Sequence, residues 1–410
     1  MQKIFFINCA DFGSTGKIIR DIATVIGQYG WKSVLCIPKQ TQDNSVFDTV
    51  YSVSHKHEQG VYYRLGKLTG NKYGIAPLST AKVIKAIKNE QPTLVHVHCA
   101  NGCFVNLYKL FDFLKQNHIP TVVTNHAEFY YTGYCDHAYY CDKWKNGCGK
   151  CYQKNALIDG TARAWKRMKR AFNDFDNLVV TSVSPWVYSR SLISPIFAGV
   201  KQVIVENGLD TDIFKNSPKT ETLARLNVSP NAKIILHVTA HFYGESDKKG
   251  SKYVLELARR FQNDNVIILV VGNYDNVSVP NNLILLGKIS NQSDLAKIYS
   301  MADLTVVTSE RETFSMPVAE SLCCGTPVVG FKAGGPESIA IEEFSEFFDY
   351  GDIDSLEMSI RKKWLTFKSD EEQMRISTVS CDKYSKEKMS ENYLSVYRDL
   401  INKCGVENDK

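Results

Sequence analysis

The stretch Ser309-Glu310-Arg311-Glu312-Thr313-Phe314-Ser315-Met316-Pro317-Val318-Ala319-Glu320 decides how this chain is read. It follows the apolar run Leu304-Thr305-Val306-Val307 and leads on to Gly325-Thr326-Pro327-Val328-Val329 and Gly334-Gly335-Pro336-Glu337. The apolar run predicts a buried strand, and Pro317 suits the first turn of a helix, where a missing N–H loses nothing. Ser315 is expected to cap the orphan amides of that helix, and Gly325 to stop it. Glu312 then falls on the strand-to-helix loop and Glu320 in the opening turns of the helix, so the two carboxylates flank a helix N-terminus that favours anions. A sugar diphosphate needs such a set, because carboxylates accept hydrogen bonds from hydroxyls while free amides hold phosphates. Acidic residues also gather at helix starts through the macrodipole alone. The weight therefore lies on the ordered string of strand, Ser-Met-Pro entry, Gly-Thr-Pro-Val-Val exit and Gly-Gly-Pro-Glu loop.

Outward from this string, strand-like and helix-like segments alternate along the chain. Strands are predicted at 3–8, 33–37, 94–98, 120–124 and 178–183, then near 233–239, 266–271, 283–286, 304–308 and 327–330. Helices are predicted near 250–262, 293–300, 316–324 and 383–402. Alternation of this kind predicts parallel sheets covered on both faces, here in two doubly wound α/β domains. Glu206-Asn207-Gly208-Leu209-Asp210 follows a short strand and precedes a polar linker around 215–231, which sets the boundary just before Glu206.

The string from Glu312 to Glu320 resembles the E-x7-E signature of the retaining family 4 glycosyltransferases, of the type found in bacterial polysaccharide biosynthesis. The turn at 206–210 is similar to the P-N-G-[VI]-D turn joining their halves, with Glu206 where proline is usual. The resemblance implies a GT-B fold, with two Rossmann-like domains facing across a cleft. Residues 1–205 would form the acceptor side with a cysteine-rich insertion at about 129–160, and 206–382 the nucleotide-sugar domain. Residues 383–410 would carry the last helix back onto the first domain. It further implies that Glu312 holds donor-sugar hydroxyls and Glu320 the ribose, with Thr313, Phe314, Ser315 and Met316 between them on the donor. Transfer would retain anomeric configuration by front-face attack, the leaving phosphate taking the acceptor's proton. No protein base is then required, and no second carboxylate pair of the glycosidase kind is evident. No Asp-x-Asp stands in either cleft loop to hold magnesium, so no catalytic cofactor is expected.

Ligands of open parallel sheets bind beyond the carboxyl ends of the strands, which directs attention to the loops there. Asp11-Phe12-Gly13-Ser14-Thr15-Gly16-Lys17 is a glycine-rich strand-to-helix turn, neither a Walker A nor a full dinucleotide fingerprint. By resemblance, Gly13 and Gly16 are the positions that approach the donor phosphates. His96 and His98 alternate along one strand and so share a face; a metal pair and a set of hydrogen-bonded histidines both fit. His126 ends a strand in Thr124-Asn125-His126, similar to the family's T-x-H element, whose histidine lies near the reacting carbon. The aspartate often next in such chains is Ala127 here. In the second domain, Lys248-Lys249-Gly250 matches the family's lysine-glycine phosphate clamp at Lys249, with Lys248 beside it. The arginine expected after the preceding strand is absent. Positive charge on the leaving diphosphate would come from Lys249, Lys248, and amides near Ser315 and Gly334-Gly335.

Cys135, Cys141, Cys148 and Cys151 follow His126 closely. Cysteine usage without a disulfide pattern and the two-residue gap of Cys148-Gly149-Lys150-Cys151 fit structural zinc; reduced thiols packing a loop-rich insertion fit as well. The pattern resembles T-G-x-C…C-x-x-W-x-x-G-C-x-x-C of a subset of bacterial family 4 enzymes.

Composition bounds the remainder. With 410 residues and 44% hydrophobic content, two or three sizeable cores are within reach. No run of about 18 apolar residues predicts a spanning helix, and Met1-Gln2-Lys3 opens straight into a strand-like run without a leader pattern, so a cytoplasmic protein is expected. A net charge of +5 with dispersed basic residues does not point to nucleic acid. Residues 163–170, Arg-Ala-Trp-Lys-Arg-Met-Lys-Arg, concentrate charge beside apolar side chains. That segment fits either contact with an anionic inner-membrane surface or a solvated helix face. The expected partners are a nucleoside diphosphate sugar and a glycan or lipid-linked acceptor. A sugar-nucleotide epimerase and a nucleotide-sugar-binding protein without catalysis are the rival classes.

Overall fold

The computed structural model describes residues 1–154, 156–218, 229, 231–244, 248–366 and 369–405. Most of the expected linker around 215–231 lies outside the described residues. The chain divides into two units, Met1–Asn207 with Lys386–Lys410, and Gly208–Ser385.

In the first unit, β1 (Lys3–Ile7), β2 (Lys32–Ile37), β3 (Thr49–Ser52), β4 (Leu94–Val97), β5 (Thr121–Asn125), β6 (Leu178–Ser182) and β7 (Lys201–Ile204) form a sheet ordered β3-β2-β1-β4-β5-β6-β7. Every neighbouring pair is parallel. The central strands are nearly continuous runs of buried Val, Ile, Leu and Phe because helices cover both faces. The helix Gly13–Gln28 places Ile18, Ile19, Ile22 and Ile26 on one side, the spacing that buries a single stripe. Against it packs the helix Lys386–Lys403, whose Met389, Tyr393, Leu394, Tyr397, Leu400 and Ile401 join the same core. The helix predicted over 383–402 thus begins after Ser385, where the preceding helix Asp370–Tyr384 ends.

In the second unit, β8 (Lys233–Phe242), β9 (Val266–Tyr274), β10 (Leu283–Gly287), β11 (Leu304–Val307), β12 (Val328–Phe331) and β13 (Ser345–Phe348) are ordered β10-β9-β8-β11-β12-β13, again parallel throughout. Its own core gathers Ile235, Ile268, Leu304, Val306 and Val329 with Leu257, Phe261 and Trp364. Each sheet reverses its strand order once, between β1 and β4 and between β8 and β11, and such switch points open crevices at the carboxyl ends.

Candidate functional site

Three loops meet at the carboxyl ends of β8, β11 and β12. Glu312 is the knot. Its N–H donates to Ala333 O at 3.1 Å, and its carbonyl accepts from Gly335 N at 2.9 Å, joining the loop after β11 to the loop after β12. The loop after β8 is tied to the same place, since Glu310 N donates to Lys248 O at 3.0 Å and Thr308 Oγ1 to Lys249 O at 3.1 Å. These approaches require glycine at two positions. A Cβ on Gly250, at φ +79°, would stand 2.0 Å from Thr308 O, and one on Gly335 would stand 2.5 Å from Phe314 N.

The seam holds two opposite charges at its face. Lys249 Nζ donates to Glu312 Oε1 at 2.5 Å, and Ser309 Oγ donates to the same oxygen at 3.0 Å. The lysine side chain is 42% exposed, so this pair adds little to stability and stays open to a ligand. Lys248 is exposed beside it, while Arg311 is half-buried next to Glu312 in the chain.

The helix Met316–Cys323 begins as expected at Ser315, with Pro317 in its first turn, but the expected side-chain cap is absent. Ser315 has φ +84° and ψ +84°, whereas a capping hydroxyl reaches the amides from an extended backbone. Its carbonyl instead accepts from Val318 N at 3.1 Å. The far end follows expectation: Gly325, at φ +79°, donates to Leu322 O at 2.9 Å and Thr326 N to Ser321 O at 2.9 Å, a Schellman closure. Glu320 is half-buried on the helix and accepts from Tyr299 OH at 3.0 Å. Burial first, and then the neighbouring Glu320 carboxylate, push the Tyr299 phenol well above its ordinary range, so it remains a donor. Phe314 is buried, and Thr313 and Met316 are half-buried around the helix start.

The amides expected to serve a diphosphate near Gly334-Gly335 are already engaged. Gly334 N donates to Glu337 Oε1 at 2.8 Å, Ala333 N to Glu337 Oε2 at 2.9 Å, and Gly335 N to Glu312 O. The sequence reading missed this use of Glu337, together with Ser309 and Tyr299 as holders of the two glutamates. A hydroxyl three positions before Glu312 was a readable signal; Tyr299, on a different helix, left none.

In the first unit, the glycine-rich turn is organised by the buried Asp11, which accepts from Thr41 N at 2.7 Å, Gln42 N at 3.0 Å and Asn44 Nδ2 at 2.9 Å. A Cβ at Gly16 would meet the Asp11 carbonyl carbon at 2.6 Å, and Gly13 adopts φ +71°. Both glycines therefore have intrachain reasons to be glycine.

His96, His98 and His126 form a hydrogen-bonded chain. His98 Nε2 lies 3.0 Å from His96 Nδ1, and His98 Nδ1 lies 2.9 Å from His126 Nε2. Burial holds His96 and His98 well below the ordinary histidine range, and His126 at about 3, so all three are neutral. Of the two readings left open, the hydrogen-bonded one describes this arrangement.

Cys135, Cys141, Cys148 and Cys151 line one cavity of about 10 Å³ together with Thr132 and Trp144, room for about one small guest. Burial, then the neighbouring thiols, push Cys148 up to about 12. Every cysteine is free, and among the described residues no three His, Cys, Asp or Glu side chains are gathered at metal-binding geometry. The basic segment lies on the helix Thr161–Phe172, which buries Ala164, Trp165, Met168, Ala171 and Phe172 within the unit and exposes Arg163, Lys166, Lys169 and Arg170. Among the described residues, no helix is long and apolar enough to cross a membrane.

Comparison with known proteins agrees with this architecture. The family model for glycosyltransferase family 4 matches residues 40–213, and that for glycosyl transferases group 1 matches residues 220–378. N-acetyl-α-D-glucosaminyl L-malate synthase of Bacillus anthracis is 24% identical over 241 residues, covering 54% of this chain and 60% of the relative. D-inositol 3-phosphate glycosyltransferase of Thermobispora bispora is 29% identical over 177 residues, covering 39% of this chain and 41% of the relative. The match thus spans about half the length of these curated relatives. Among solved structures, sucrose-phosphate synthase from Thermosynechococcus elongatus superposes with a TM-score of 0.70 at 16% identity, covering 98% of this chain and 100% of that one. Anabaena HepE in complex with UDP gives 0.67 at 16% identity, covering 97% and 100%. At these identities the structural likeness is one of fold. Residues 40–213 thus carry a glycosyltransferase family 4 domain and residues 220–378 a glycosyl transferases group 1 domain, on the two-domain GT-B fold.

Proposed function

We propose that the chain transfers a sugar from a nucleoside diphosphate sugar to a hydroxyl acceptor with retention of configuration. The observation that carries this is the Lys249–Glu312 pair at the face of the three joined loops. A cation and a carboxylate that satisfy each other without ligand are poised to exchange partners: a diphosphate takes the lysine, and sugar hydroxyls take the glutamate. Glu320 then serves the ribose, and Lys248 lends a second positive charge. In the transfer, the bond from the anomeric carbon to the phosphate oxygen breaks as the acceptor oxygen attacks the same face. The leaving phosphate receives the acceptor's proton. Charge developing on that phosphate is what Lys249 stabilises, more strongly in the transition state than before it.

The complexes of Anabaena HepE with UDP and UDP-glucose make uridine diphosphate sugars the first donors to test. For the acceptor, a glycan or lipid-linked oligosaccharide of cell-surface polysaccharide synthesis accords with the exposed basic face of Thr161–Phe172. A second reading is a small polar acceptor, favoured by relatives named for L-malate and inositol 3-phosphate. Release of UDP from UDP-glucose, measured for wild type and Glu312→Ala, tests the site. Losing a charged hydrogen-bond acceptor is expected to lower kcat/KM by about 10²-fold while circular dichroism stays unchanged. Unaltered turnover would remove Glu312 from the donor site.

A further inference from the structure

Both strands that flank the switch point of the first sheet run out into a cysteine. β1 ends at Ile7 and β4 at Val97, which are register partners, and Cys9 and Cys99 each stand two positions further on. The pairing continues past the strands: His98 N donates to Ile7 O at 2.9 Å, Cys9 N to Cys99 O at 2.7 Å, and Cys99 N to Asn8 Oδ1 at 3.1 Å. Neighbouring strands lie about 4.8 Å apart, within the span of about 4.4–6.8 Å between Cα atoms that a disulfide accepts. The loop after β4 then folds back over the pair, so closely that a Cβ on Gly102 would stand 2.9 Å from Cys9 Cβ.

The two thiols are unequal. Their contact, ahead of burial, holds Cys9 below the ordinary thiol range and pushes Cys99 well above it. Asn101 secures that division. Its Nδ2 is turned to Asp136 Oδ1 at 2.9 Å, so its Oδ1 faces Cys99 Sγ at 3.3 Å, and the Cys99 hydrogen has two acceptors, this oxygen and the Cys9 sulfur. Cys9 is thereby the nucleophile, and Cys99 the thiol that keeps its proton. Both are half-buried, whereas the buried Cys103 points its thiol at the Lys72 carbonyl, 4.0 Å away.

We propose that Cys9 and Cys99 form a thiol–disulfide exchange site, at which a low-molecular-weight disulfide closes a reversible bridge across the switch-point crevice of the first unit. The Cys9 thiolate attacks one sulfur of the disulfide RS–SR, whose S–S bond breaks; one RS⁻ leaves and takes the proton that Cys9 gave up. Cys99 then gives up its proton and attacks the Cys9 sulfur, and the second RS⁻ leaves and takes that proton. Two protein thiols are oxidised to one disulfide, and RS–SR is reduced to two RSH. On the transferase reading, on which this consequence alone rests, the bridge stiffens the entry to the glycine-rich turn at 11–17, which begins two positions after Cys9, and turnover falls.

The test treats the full chain with glutathione disulfide and maps its tryptic peptides without reduction. A species joining residues 4–17 to residues 89–109 is expected, lost on adding dithiothreitol, with fragment ions that place the bond on Cys99 and not on Cys103 of the second peptide. Cys9 left as a free thiol, or joined to any other cysteine, overturns the site. In Cys99→Ser, Cys9 should stop at the glutathione adduct, and in Cys9→Ser, Cys99 should form its adduct at least about tenfold more slowly. Equal rates overturn the order of attack. Release of UDP from UDP-glucose should fall at least about tenfold in the oxidised wild type, return with dithiothreitol, and be untouched by oxidation in Cys9→Ser/Cys99→Ser. A bridge without loss of turnover, or an equal loss in the double variant, overturns its effect on the crevice. Peptide mapping needs no turnover, so failure of the exchange site is distinguishable from failure of the transferase reading.

Discussion

Acidification should unfold the first unit through its histidines before its carboxylates begin to titrate. His96 and His98 are fully buried, and burial depresses both pKa values far below the ordinary 6.5; His126 is drawn to about 3. A base depressed in this way stays neutral when folded and takes up its proton only on unfolding. Below 6.5 the unfolded chain therefore binds more protons, and stability falls as pH falls. Each ring approaches a slope of about 1.4 kcal/mol per pH unit. Between pH 6.5 and 5.0 this integrates to roughly 1.6 kcal/mol per histidine, or roughly 5 kcal/mol for the three. Urea unfolding followed by tryptophan fluorescence reports chiefly on this unit, because Trp31, Trp144, Trp165 and Trp186 lie in it and Trp364 in the other. Cys381, lowered to about 7 chiefly by its contact with Cys323, belongs to the second unit and is already mostly protonated at the top of the window, so it adds little to the loss. A loss below about 1 kcal/mol across that range would refute the neutral chain. His98→Asn should reduce the loss by about one histidine's share.

Three further outcomes are expected. Ser315→Gly should stabilise the second unit by about 1 kcal/mol in thermal unfolding, because φ +84° strains any residue with a Cβ; a lowered midpoint would show that the Ser315 side chain supports the loop. Metal analysis of purified protein should find about one zinc per chain, held by Cys135, Cys141, Cys148 and Cys151. Binding requires the four thiols to draw in to about 2.3 Å from the ion, and less than about half an equivalent would favour reduced thiols. Sedimentation with anionic vesicles should show binding at low salt that vanishes near 1 M, where screening shortens to about 3 Å, since only the basic side of Thr161–Phe172 faces outward; binding that survives salt would point to apolar contact elsewhere.

What the sequence makes legible is what the strands impose. Runs such as Ile4-Phe5-Phe6-Ile7 and Leu304-Thr305-Val306-Val307 are buried on both faces, so apolar continuity alone marks them. Thr49–Ser52 and Ser345–Phe348 escape notice, and Lys201–Ile204 shows only as a short strand without bounds, because they occupy sheet edges, where half-exposed polar residues blur the pattern. The order Glu312, Ser315, Pro317, Glu320, Gly325 is equally legible, since each residue type answers a local need of a loop and a helix. The conformation of Ser315 is not, because Gly335 pressing against Phe314 closes the loop from a different strand. His96 and His98 are visible as a pair, yet the Tyr397 hydroxyl that His96 meets lies 301 positions away. Long-range partners of this kind leave no periodic trace.

The absent arginine of the phosphate clamp is answered by the same joined loops. Glu310 N bound to Lys248 O and Glu312 N bound to Ala333 O fix the chain on either side of Arg311, so the backbone of the loop after β11 carries Arg311 next to Lys248 and Lys249 of the loop after β8. Two lysines are compact point charges that follow a phosphate in many geometries, whereas a guanidinium fixes two oxygens at once. On the proposed transferase reading, Lys249 stays with Glu312 until a diphosphate arrives, and the exposed Lys248 stands beside it in the chain as a second positive charge. On that reading, arrival of the diphosphate releases the Lys249–Glu312 pair. Binding of the diphosphate is thereby linked to freeing the carboxylate that the sugar needs.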